Sequence, residues 1–225
     1  RMPMSMTLSE IAQASDGKLT ATKVRPIDFS GVNGLWIPCA GSQTPWNTHL
    51  GSEEDYDLIY NPLDSADYET TAAGLKALTD LYFGGTQQAT PYHYGIIPEV
   101  TIKSDGSTSV VKHHAMGRGT WELSRLMPDG RTAYMGDDGA YGLMAMFVAD
   151  QYGDLSAGTL YSAKWHQVSD QDGGRATLTW NRLGHATDAE IDPIADSLTF
   201  ADIFDAVEPV DGQCATGYTR VRAGS

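Results

Sequence analysis

Glycine spacing constrains this chain more than any other feature. Its 24 glycines are spread over all 225 residues and punctuate short apolar runs. Runs of that length, bounded by glycine, proline and aspartate, read as strands joined by tight turns. The strand candidates are residues 34–39, 94–102, 109–114, 132–136, 142–148, 158–165 and 176–180. Between them, Ser104-Asp105-Gly106, Pro128-Asp129-Gly130 and Gln171-Asp172-Gly173-Gly174 offer residues that tolerate a backbone reversal. Helical signal is sparser. Thr7–Ala14 reads as a helix with Thr7 or Ser9 as N-cap, and Ala72–Phe83 places Leu75, Leu78, Leu81 and Tyr82 on an amphipathic pattern. Asp188–Ala195 and Thr199–Ala206 read as acidic short helices or loops. The expected fold is a single, mainly β domain with short helical insertions. Strand–turn–strand units recurring from Tyr92 to Trp180 fit a sandwich, a barrel or a propeller, and the pattern does not choose the closure.

Charge then removes function classes. Lys and Arg number 15 against 29 Asp and Glu, a formal net charge of −14. Such a chain repels phosphate backbones and anionic membrane surfaces, so no nucleic-acid or membrane partner is expected. Tyr141–Ala149, the most apolar stretch, is too short to span a bilayer, and Arg1–Ile11 lacks the apolar segment of a secretory leader. The excess acid has two ordinary origins, a solvated surface or oxygen-rich cation sites. Cys39 and Cys214 are the two cysteines; they form neither a disulfide framework nor a zinc ribbon, and one disulfide between them stays open.

The densest chemistry lies between Cys39 and Asp57. A soft thiol follows an apolar run, a Gly41-Ser42-Gln43-Thr44-Pro45-Trp46 loop follows the thiol, and Glu53, Glu54, Asp55 and Asp57 crowd together behind. Carboxylates so close repel one another, and a polyvalent cation removes that cost. A solvated acidic turn and a small buried cysteine explain the same residues equally simply.

The string Cys39-Ala40-Gly41-Ser42-Gln43-Thr44-Pro45-Trp46-Asn47-Thr48-His49-Leu50-Gly51-Ser52-Glu53-Glu54 resembles the signature of the PhoX alkaline phosphatase family. That signature runs Cys-Ala-Gly-Gly-x-Thr-Pro-Trp-Gly-Thr-x-Leu-x-x-Glu-Glu, with the glutamates at the same offsets from the cysteine. Residues 115–122 resemble the family's Leu-Gly-Arg-Phe-x-His-Glu segment, and residues 132–138 its Val-Tyr-x-Gly-Asp-Asp segment. Residues 142–148 and 158–165 resemble two further family strands. The likeness covers Leu35 to Trp165 and continues more weakly to Asp205.

The resemblance implies part of a six-bladed β-propeller that hydrolyses phosphate monoesters at a cluster of Fe³⁺ and Ca²⁺. It makes Cys39 the iron thiolate and, with Glu122, a catalytic residue. Glu53, Glu54 and Glu122 become metal carboxylates, as do Asp137 and Asp138, although neighbours on a strand point to opposite faces. Arg118 either touches phosphate or makes an ion pair. A small phosphate ester is the implied substrate, and an extracellular or periplasmic setting fits both the acidity and the use of calcium. Three positions depart from the pattern: Trp121 replaces a histidine and can close the pocket, while Ser42 and Asn47 replace glycines. The family's later Arg-Pro-Glu triplet does not occur, so the chain is expected to be a piece whose other blades come from further residues or another chain. A non-catalytic calcium-binding propeller serving binding or assembly is the alternative, and a calcium-dependent lactonase is a third. His113 and His114 read as core or surface histidines pointing apart, and Asp188–Pro193 as a solvated connection.

Overall fold

The computed structural model describes residues 4–54, 75–138, 142–198, 202 and 210–211. Two antiparallel meanders dominate them. The first sheet holds β3 (Ser42–Gln43), β4 (His49–Leu50), β5 (Ile97–Ile102) and β6 (Thr108–His113) in chain order. The second holds β7 (Trp121–Leu126), β8 (Thr132–Asp137), β9 (Met144–Gln151), β10 (Asp154–Ser169) and β11 (Arg175–Thr187), again in chain order. The fold is therefore mainly β, as the glycine spacing predicts. Among the described residues neither sheet closes on itself.

Turn chemistry accounts for the meanders. At the β7–β8 turn Gly130 has φ 64°, and a Cβ there would meet the Tyr152 ring at 2.3 Å, so only glycine fits. The Asp129 carboxylate caps that turn, accepting from the backbone N–H groups of Arg131 and Thr132.

Two expected elements differ. Thr7–Ala14 is not a helix; Thr7–Gln13 forms β1, paired with β2 (Leu19–Pro26) in a separate two-stranded sheet. A reversal at Asp16-Gly17, where Gly17 has φ 87°, presents the Leu19–Val24 run, with β-branched Thr20, Thr22 and Val24, as a ladder partner, and pairing overrides local helical preference. Residues 34–39 join no strand ladder. Positive φ at Asn33, Gly34 and Ile37 bends them into a loop, whose apolar side chains Leu35 and Trp36 are nevertheless buried.

The expected amphipathic helix begins outside the described residues and is helical from Leu75, ending in a π-type turn over Leu78–Tyr82. Leu78 is buried there, but Leu81 faces solvent. The wider turn breaks the 3.6-residue period on which the apolar face rests. Of the acidic segments, Asp188–Ile191 is a short helix, α1, opened by a reciprocal capping box between Thr187 and Glu190, and a 3₁₀ turn continues it over Asp192–Ile194. Of Thr199–Ala206, only residue 202 is described.

The main core is shared by both meanders. Leu50 and Ile97 from the first sheet pack with Trp121, Leu126, Met135, Phe147 and Leu155 of the second. Among the described residues no helix is long and apolar enough to cross a membrane.

Candidate metal centre

The edge strands β3 and β7 of the two sheets run side by side, and the candidate site lies along that seam. Ser42 donates to the Ser124 carbonyl at 2.6 Å, and the Ala40 N–H to the Glu122 carbonyl at 3.2 Å. One turn of chain away, the Trp121 N–H donates to the Glu53 carbonyl at 3.0 Å, and Glu54 bridges Thr120. These ties align the segment before β3, the segment after β4 and the start of β7.

Three side chains converge as a result. The Cys39 thiol donates to Glu122 Oε1 at 3.2 Å, and ligand atoms of Cys39, Glu54 and Glu122 all lie within 4.8 Å of one another. Opposed donors on one cation, with bonds of about 2.3–2.6 Å, lie no more than about 5 Å apart, so the spacing of this set is one that a single ion could span. The electrostatics agree. Hydrogen bonds to Glu122 and then Glu54, with burial and both negative charges, push the Cys39 thiol up to about 12. Burial likewise raises Glu54, and Asp138 adds to that by a hydrogen bond and by its charge, beside the charge of Glu122. Such repulsion between protein groups is what a bound cation reverses, making thiolate and carboxylates the favoured forms. One soft sulfur among the oxygens disfavours magnesium, which takes hard oxygen ligands. Cys39 is a free thiol, and Cys214 lies outside the described residues, as do Asp55 and Asp57.

Adjacent acids part company, as strand alternation requires. Asp138 meets Glu54, whereas Asp137 accepts from both the N–H and the hydroxyl of Thr120 and from Leu143 N–H. Glu53 points away from the group. Its carboxylate is fully buried and accepts from Trp36 N–H at 2.8 Å, Ile96 N–H at 3.1 Å and Lys112 Nζ at 2.8 Å.

Much of the signature loop serves another acid. Trp46 donates from its indole to Glu99 at 2.8 Å, Thr48 donates to the same carboxylate oxygen, and the Thr44 and Thr48 hydroxyls pair at 2.7 Å. Asn47 has φ 64°, a left-handed conformation that glycine adopts freely and asparagine tolerates, which explains how asparagine stands where the family pattern has glycine. Ser42 in turn uses the hydroxyl that glycine lacks to tie the sheets together. Glu99 continues to His113 at 2.7 Å, and His113 to Asp188 at 2.9 Å. Burial opposes charge on His113, but the hydrogen bonds it donates to Asp188 and Glu99 outweigh it and raise the imidazole to about 9. Burial also works against the Glu99 carboxylate, and the bonds from His113, Thr48 and Trp46 hold it below its ordinary range. Asp188 is thus part of the buried network, where sequence pattern predicts a solvated connection. No local spacing reveals that network, since its three members sit on β5, β6 and α1. His114 leaves the strand in a 3₁₀ turn over His114–Met116 and pairs with Asp192 at 3.3 Å, one turn along the same segment from the Asp188 that holds His113.

The structure also places Arg118 and Trp121. Arg118 clamps the turn before β5, donating to the Tyr94 and Pro91 carbonyls and lying 5.1 Å over the Tyr92 ring. Trp121 does not close the pocket: it is buried in the shared core, with its indole N–H on the Gly117 carbonyl.

No curated protein and no solved structure matches this chain. The family model described as Alkaline phosphatase PhoX matches residues 6–210, nearly its whole length. The chain belongs to the PhoX alkaline phosphatase family.

Proposed function

We propose that this chain is a metal-dependent phosphatase acting on small phosphate esters, with Cys39, Glu54 and Glu122 as its ligand set and Asp138 beside them. The convergence of one thiol and two carboxylates from three chain segments carries this reading. Iron with calcium would neutralise the phosphate charge and activate the attacking nucleophile, so that water adds, the ester P–O bond breaks, and phosphate and alcohol leave.

The chain's own residues supply the frame. Cys39 and Glu122 face each other across the β3–β7 seam, and Glu54 closes the third side. Asp138 steadies Glu54, while Asp137 fixes Thr120 and Leu143 around the end of β8. With a formal net charge of −14, the protein repels an anionic ester everywhere except where cations are held. The same acidity and calcium requirement support an extracellular or periplasmic setting, where weak calcium sites fill at about millimolar concentration. The two consecutive meanders, with their first strands adjacent, support neighbouring blades of a propeller completed by further residues or another chain.

Hydrolysis of an aryl phosphate by protein supplied with iron and calcium tests the reading, with bound metal measured in parallel. Turnover that disappears with Cys39→Ser supports it. Calcium binding without iron or turnover replaces it with a calcium-stiffened scaffold, and turnover of a lactone untouched by Cys39→Ser replaces it with an esterase.

A further inference from the structure

Glu53 touches every segment that carries a member of the candidate ligand set, yet its own carboxylate faces elsewhere. Its carbonyl accepts from the N–H of Trp121, the residue before Glu122, at 3.0 Å. Its Oε1 accepts from the N–H of Trp36, in the loop leading to Cys39, at 2.8 Å. Glu54 follows it directly, and the Glu54 N–H returns to Ile37 in the same loop at 3.1 Å. The Cys39 N–H closes the circuit on the Ser52 hydroxyl at 3.1 Å.

Lys112 fixes this arrangement. Its side chain is 4% exposed, and the Nζ lies 2.8 Å from the fully buried Glu53 carboxylate, donates to the His93 carbonyl at 2.9 Å and stands 4.7 Å over the Tyr94 ring. A buried ion pair gives little net stability compared with an apolar pair of the same shape, so its value lies elsewhere. Here three donors from three directions lock the carboxylate: Trp36 and Lys112 on one oxygen and Ile96 on the other. Glutamine cannot replace it, because its amide nitrogen would present a donor to a donor.

We propose that Glu53, held by Lys112, is a positioning residue that sets the mutual spacing of Cys39, Glu54 and Glu122. The proposal rests on the reading of those three as metal ligands. Ile37, a β-branched residue with φ 29°, lies inside this circuit, and such a backbone persists only where its surroundings over-determine it. Groups that orient ligands without touching the metal typically change metal affinity by about 10–100-fold when altered.

The experiment compares the full chain with Glu53→Gln, Lys112→Met and the double variant. Each single variant leaves a buried group mismatched and lowers the unfolding temperature. The double variant removes both charges and recovers the part of that loss that comes from an unpaired buried charge. Two readouts then separate positioning from folding. Chelator competition reports iron retention, and the thiolate-to-iron absorption band reports its geometry. In metal-free protein, the alkylation rate of Cys39, followed at that residue by mass spectrometry, reports how firmly the thiol is held against Glu122. The double variant is expected to hold iron at least about 10-fold more weakly, with a shifted band. Its Cys39 is expected to alkylate several-fold faster. A folded double variant with wild-type iron retention, band and alkylation rate overturns the proposal. A wild-type chain that takes up no iron overturns the functional reading instead, and the alkylation comparison still decides the role of Glu53.

Discussion

The thiol of Cys39 meets the carboxylate of Glu122 at 3.2 Å across the seam between two sheets, although 83 positions separate them in the chain. Neither residue lies in the shared core: Cys39 is exposed and Glu122 half-buried. Their meeting therefore owes nothing to apolar packing of their own side chains. It follows from the hydrogen bonds that lay β3 along β7.

Cys39→Ser is expected to abolish iron binding while leaving the fold intact. An exposed side chain outside the core changes stability by no more than about 0.5 kcal/mol. Elemental analysis and thermal unfolding on the same preparation check this; iron retained at wild-type stoichiometry contradicts it.

The Glu99–His113–Asp188 network gives a pH dependence with a definite sign. The folded imidazole titrates at about 9 against 6.5 for the unfolded chain, so its contribution is complete below 6.5 and is lost as pH rises through 9. That gap corresponds to roughly 3 kcal/mol. The lowered Glu99 acts in the opposite direction: its contribution is present above 4.5 and is lost as pH falls from there through its folded value. Denaturant titrations across both windows should show a maximum between them. A His113 imidazole found by NMR to titrate at its ordinary value contradicts the assignment.

Asn47→Ala and Asn47→Gly separate backbone conformation from side-chain contact. At φ 64° alanine should cost about 1–2 kcal/mol, whereas glycine removes that strain and loses only the exposed Gln43–Asn47 bond. Denaturation midpoints check the order: Asn47→Gly above Asn47→Ala. Equal midpoints would show that the turn is not held left-handed in solution.

Phe147→Ala tests whether the meanders share one core. Phe147 is fully buried with Leu50 and Ile97 from the other sheet, and its truncation should cost about 3–5 kcal/mol. Both sheets should unfold together at the lower temperature. A loss confined to β7–β11, with β3–β6 protected in hydrogen exchange, would mean separate cores.

What was legible in the sequence followed from local rules. Glycine and aspartate at turns predict β5, β6 and β8–β11, because a tight reversal needs those residues wherever it occurs. The family resemblance, rather than spacing alone, groups Cys39, Glu53, Glu54, Glu122, Asp137 and Asp138, and of these the structure brings Cys39, Glu54 and Glu122 together. What stayed hidden depends on partners far along the chain. Glu53 and Glu54 look alike in sequence, and only the position of Lys112 shows which of them turns inward. Asp137 and Asp138 divide in the same manner, according to where Thr120 lies. Thr7–Gln13 became a strand because Leu19–Pro26 was there to pair with it. Trp121 stands where the family pattern has a polar residue, and the shared core took it up.

Iron K-edge absorption of the metal-loaded chain tests the central claim most directly. Iron held by one sulfur at about 2.3 Å and otherwise by oxygen, with the site emptied in both Cys39→Ser and Glu122→Gln, is the expected result. A first shell free of sulfur, or one unchanged in both variants, would contradict the account.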